Sequence, residues 1–160
     1  MATTVSKIRL GACDTMTLMG VDLGSSIGGA ELTYNGTGWT TAQKIEPGSA
    51  SLTSVSCPAT GECVAADGSG NILVLNAGHW SKIKSIDGFG GGISSVSCES
   101  MSFCAVVDYS GNSLIGSPTS WGSPQPIDTA GVNLISVSCP STIFCVSVDD
   151  SGNALIYGKS

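Results

Sequence analysis

Ser54–Val55–Ser56–Cys57–Pro58 returns as Ser95–Val96–Ser97–Cys98–Glu99 and again as Ser136–Val137–Ser138–Cys139–Pro140, each copy 41 residues after the last. An interval of this size is too long for one strand and suits one four-stranded antiparallel sheet. Four such units fill the 160 residues, so the chain reads as one all-β domain, a small four-bladed β-propeller. Only 11% of residues are charged while Gly and Ser are abundant, a composition of tight turns and small buried faces rather than of helices.

The strands of a blade are legible around the third copy. Leu134 to Cys139 makes the first strand, Phe144 to Asp149 the second and Asn153 to Tyr157 the third, with Pro140, Gly152 and Gly158 in the turns. An outer strand runs over Trp39 to Ile45, Trp80 to Ile86 and Trp121 to Ile127 in the other units, which sets the blades at 9–45, 52–86, 93–127 and 134–157. The last blade has no outer strand of its own, and Thr3 to Ile8 falls at the matching place before the first blade. Pairing of 3–8 beside Asn153–Tyr157 would close the ring within a monomer and cover an edge open to aggregation. Half of a larger ring, completed in a dimer, is the alternative.

The first unit departs from the others. Arg9 to Cys13 aligns with the first strand, Met19 stands where the second cysteine belongs, and Leu23 replaces the repeated Asp. Cys13 therefore has no mate and reads as a small buried hydrophobe. The other six cysteines form the pairs Cys57/Cys63, Cys98/Cys104 and Cys139/Cys145, each spanning a hairpin of five intervening residues. Structural disulfides fit this spacing and point to a secreted protein; reduced core thiols and metal ligands are the alternatives. Zinc would need about four converging ligands, and His79 is the single histidine and does not recur.

A formal charge of −6, with six basic residues scattered through the chain, leaves no footprint for nucleic acid. No apolar run approaches the roughly 20 residues of a membrane span. The acids themselves are organised. Asp67, Asp108 and Asp149 each open a turn of the form Asp-x-Ser-Gly-Asn between the second and third strands, where Asp accepts backbone amides and Gly allows a positive φ. The loops between blades bring Glu46–Pro47, Asp87–Gly88–Phe89 and Asp128–Thr129 to the same rim, which would attract cations or a basic partner. Candidate ligand-binding residues are thus Asp67, Asp87, Phe89, Asp108, Asp128 and Asp149, joined by Asp22 and Glu31 on the irregular first unit. Calcium is the ion these turns bring to mind, but none has the spacing and terminal Glu of a calcium loop, and no cofactor is expected. Trp39, Trp80 and Trp121 recur at the start of each outer strand, as packing between blades or as a platform for sugars. A lone His79 and acids that recur with the repeat do not assemble one special pair, so the chain reads more readily as a binding module than as an enzyme.

The unit Ser136 to Pro140, Phe144–Cys145, Val148–Asp149 and Ser151 to Asn153, with Trp121 before it, resembles the repeat of secreted β-propeller proteins of Gram-positive, especially actinobacterial, origin. The resemblance extends over nearly the whole chain. It implies a propeller fold and, because related propellers include lectins, a carbohydrate-binding module using loops of one rim. Two other classes stand beside it: a protein-interaction module with an acidic rim, and a small enzyme with one pocket at the first unit.

Overall fold

A computed structural model of the chain describes residues 16–19, 29–34, 37–45, 50–81, 84–88 and 90–158. These form four successive antiparallel sheets and, among the described residues, no helix. Sheet 1 holds β1 (Met16–Met19), β2 (Ala30–Tyr34) and β3 (Gln43–Lys44). Sheet 2 holds β4 (Leu52–Ala59), β5 (Glu62–Asp67), β6 (Asn71–Asn76), β7 (His79–Trp80) and β8 (Lys84–Ser85). Sheet 3 repeats this with β9 (Ile93–Ser100), β10 (Phe103–Asp108), β11 (Asn112–Ser117), β12 (Ser120–Trp121) and β13 (Gln125–Pro126). Sheet 4 has β14 (Leu134–Ser141), β15 (Phe144–Asp149) and β16 (Ala154–Gly158).

The second strand of the blade has the bounds read from the sequence, and the first runs two residues further. The outer strand differs: it is two short pieces rather than one run. In sheet 2, β7 and β8 both pair with β6, and the register of β8 is shifted by one residue from that of β7. The Ser81 amide donates to the Val74 carbonyl at 2.8 Å, while Ser81 Oγ accepts the Val74 amide at 3.0 Å. A side chain has taken the place of the backbone acceptor, so the ladder lapses. Thr40 does the same opposite Thr33 in sheet 1. In sheet 3 the corresponding residue is Gly122, and Pro124 two positions on has no amide to offer the ladder.

The sheets stack face to face in chain order. Val64, Ala66 and Ile72 of sheet 2 are buried against Ile93, Val96, Val106 and Leu114 of sheet 3. One repeat later, Ala105 and Val107 of sheet 3 are buried against Leu134 and Val137 of sheet 4. Period-two alternation gives each central strand two apolar faces, as a sheet sandwiched between neighbours requires. The repeated Ser-Val-Ser makes the polar part of the same contact. Ser54 Oγ and Ser56 Oγ accept the amides of Val96 and Cys98 at 3.1 and 2.9 Å, and Ser95 Oγ and Ser97 Oγ accept those of Val137 and Cys139 at 3.2 and 3.0 Å. Every one of these bonds reaches 42 residues along the chain.

Disulfides join Cys57 to Cys63, Cys98 to Cys104 and Cys139 to Cys145. Each bridges the first and second strands of one sheet. Closing so short a loop contributes about 2 kcal/mol per bridge in the loop-entropy view. The proposed closing strand 3–8, the strand 9–13 with Cys13, and the loop at Glu46–Pro47 lie outside the described residues.

Candidate functional site

The rim turns are built identically. Asp67 Oδ1 accepts the amides of Ser69 and Asn71 at 2.8 and 2.9 Å, and Oδ2 takes the Asn71 side-chain amide at 2.9 Å. Asp108 holds Ser110 and Asn112, and Asp149 holds Ser151 and Asn153, through the same three bonds. All three carboxylates are buried. Bonds from the Asn153 backbone amide and then from its side chain keep the Asp149 carboxyl below its ordinary pKa. The repeated acids therefore clamp their own turns, and their surroundings give them this structural work whether or not a ligand sits nearby.

Of the other rim acids, Asp87 is buried, and Asp128 is half-buried with Oδ1 accepting the Ala130 amide at 2.9 Å. Asp22 and Phe89 lie outside the described residues. Glu31 stands in the interior of the stack, where its Oε2 accepts the Trp80 indole N–H at 2.7 Å and ties sheet 1 to sheet 2. Among the described residues no three metal-ligating side chains come together.

The tryptophans mark the feature that matters. Trp80 packs half-buried on the cluster of Leu52, Val55 and Leu73, beside Leu75 with which it is in register. Trp121 packs in the same way on the cluster formed between sheets 2 and 3, in register with Gly116. Each fills the seam between its own sheet and the sheet before. Trp39 is more open, with its ring centroid 5.3 Å from that of Tyr34.

Sheet 4 has no tryptophan among the described residues. Its residue corresponding to Leu75 and Gly116 is Tyr157, and beside it the seam between sheets 3 and 4 is a cleft of about 190 Å³. The walls are Ile115, Ile127, Val137, Cys145, Leu155 and Tyr157, among others, and are predominantly apolar. Sequence reading singled out the rim and passed over this seam.

No protein-family model matches the chain, and no curated protein does. Solved structures do. YCF48 from Cyanidioschyzon merolae is similar at 12% identity and a TM-score of 0.73, with 97% of this chain covering 51% of that one. A structure of YCF48 bound to D1 peptide matches at 13% identity and a TM-score of 0.61, covering 82% of this chain and 44% of that one. A streptogramin B lyase matches at 10% identity and a TM-score of 0.62, covering 99% and 54% respectively. This chain spans about half the length of these proteins. At such identities the likeness concerns architecture alone, and it assigns the stacked antiparallel sheets to the β-propeller type of fold.

Proposed function

We propose that the chain is a non-catalytic binding module for a protein partner, and that the seam between sheets 3 and 4 receives an apolar anchor of that partner. One observation carries this reading: an open apolar cleft lies between sheets 3 and 4 at the level where Trp80 and Trp121 pack on the preceding seams, and among the described residues no tryptophan fills it. A concave apolar slot between rigid sheets suits a single bulky side chain, the commonest kind of hot spot in a protein interface. The peptide held by one of the similar propellers is consistent with such use. The net charge of −6 favours a partner with basic residues around its anchor. Three disulfides suit an oxidising compartment, and secretion is part of the proposal.

Carbohydrate recognition, implied by the resemblance to lectin-bearing propellers, finds less support. Asp67, Asp108 and Asp149 are the carboxylates that open every repeated rim turn, and they are buried in their own turns.

Selection of a displayed peptide pool against the oxidised protein tests the proposal. Enriched peptides should share a Trp, Phe or Tyr flanked by Lys or Arg, and Ile127→Asp at the mouth of the cleft should weaken them at least tenfold. Peptides without a shared aromatic, or an affinity indifferent to Ile127→Asp, would sink the idea. Binding on a glycan array that is competed by free sugar would restore the lectin reading.

A further inference from the structure

We propose that the cleft is a seat for indole held through Ser113, so that the partner's anchor is a tryptophan. Granted the cleft as a partner's docking site, on which this rests, the two seams before it define the side chain that fits. In the first, Trp80 and Ile45 pack on the cluster that holds Val55, Cys63 and Leu73. In the second, Trp121 and Ile86 pack on the cluster that holds Val96, Cys104 and Leu114, each 41 residues after its counterpart. Another 41 residues on stand Ile127, Val137, Cys145 and Leu155, and all four line the cleft. The repeat has built the tryptophan's surroundings a third time. Size agrees with this: an apolar cavity of about 150 Å³ takes up a benzene ring, and the cleft of about 190 Å³ has room for the two fused rings of indole.

Shape alone would admit phenylalanine or leucine, and a polar atom in the wall separates indole from them. In the first seam the indole N–H of Trp80 is taken by Glu31 Oε2 at 2.7 Å, from β2 of the sheet before. The corresponding residue of the cleft, two repeats on, is Ser113 of β11, half-buried in the wall. A hydroxyl oxygen has two lone pairs, whereas an indole nitrogen can only donate. The other polar side chains of the wall are Ser147 and Tyr157. Ser147 is buried, with its Oγ donating to the Ser136 carbonyl at 2.9 Å. Tyr157 holds the place of Leu75 and Gly116, which stand in register beside Trp80 and Trp121 rather than across the seam. Ser113 is thus the acceptor placed as Glu31 is, and a ring that carries no donor would leave its hydroxyl facing apolar atoms.

Titration of the oxidised protein with indole and with benzothiophene, which has sulfur in place of the N–H, separates the ring from the donor. Methyl resonances of Ile127, Val137 and Leu155 should move with both ligands, and indole should bind about three- to tenfold more tightly, the worth of one neutral hydrogen bond. Ser113→Ala should bring indole down to benzothiophene and leave benzothiophene unchanged. Ser113→Glu, which installs the acceptor of the first seam, should widen the gap. Ser113→Ile, which copies Ile72 of the second seam, serves if Ser113→Ala does not fold. Equal affinities in the wild type, a preference that survives loss of the hydroxyl, or methyl groups that neither ligand moves would overturn the proposal. An empty peptide selection would dispose of the partner while the preference for indole remained; enriched peptides anchored by phenylalanine in preference to tryptophan would keep the partner and dispose of the indole seat.

Discussion

Trp80 and Trp121 occupy the same place in successive sheets, but only one of them has a use for its indole nitrogen. Trp80 Nε1 donates to Glu31, whereas Trp121 Nε1 is buried without a partner among the described residues, because Ile72 stands where sheet 1 has Glu31. Trp80→Phe should therefore cost about 1 kcal/mol more than Trp121→Phe in chemical denaturation, the usual worth of a charge-assisted bond at a partly exposed site. Equal costs would mean that the Glu31 bond does not hold in solution. Asp149 gives a prediction in pH. Its carboxyl titrates below the ordinary value in the folded chain, so the stability it adds is fully present above the unfolded pKa of about 3.9 and is lost as pH falls through the folded value. Thermal melts should show Asp149→Asn well below wild type at pH 7 and converging with it towards pH 2. The spacing Asp-x-Ser-Gly-Asn made these turns readable from sequence. What it could not reveal was that Glu31 faces a tryptophan 49 residues away, since that pairing depends on how the sheets stack.

Strands with a strict two-residue alternation, such as β15, were legible to the residue, because a slip by one position would turn the buried Cys145, Ser147 and Asp149 out of the stack. The outer strands were legible only as positions. Their breaks arise from hydroxyls at Thr40 and Ser81 competing for a neighbour's amide, an effect that hydrophobic pattern does not register. The serine row is where the repeat shows its purpose. Ser97→Ala removes the acceptor for the buried Cys139 amide and should cost about 1–2 kcal/mol, while Ser138→Ala, lacking a donor within the described residues, should be nearly neutral. The turn glycines divide on the same principle. A Cβ on Gly111 would meet the Asp128 carbonyl of the next loop, whereas Gly152 has open space around it, although both sit at positive φ. Gly111→Ala should accordingly lower the melting temperature well beyond Gly152→Ala.

Across the whole molecule, the fold type followed from one repeated pentapeptide and its interval, whereas the exposure of the last sheet did not: the sequence pattern of sheet 4 matches that of the buried sheets 2 and 3 although its outer face is exposed. The cleft was hidden for a related reason: its walls come from two sheets and meet only once those sheets stack. Reduction of all three bridges should lower the stability by several kcal/mol at about 2 kcal/mol each, measured as the shift of the denaturation midpoint with and without reductant. An unchanged midpoint would assign the bridges a role other than holding the native state. Each bridge spans only six residues and both of its sulfurs belong to one hairpin. No crosslink thus records the order in which the repeats are strung, and a whole unit could be duplicated, deleted or moved at the loop around Gly131 without orphaning a thiol. The covalent scheme is modular, which leaves such a gene free to gain or lose units by recombination.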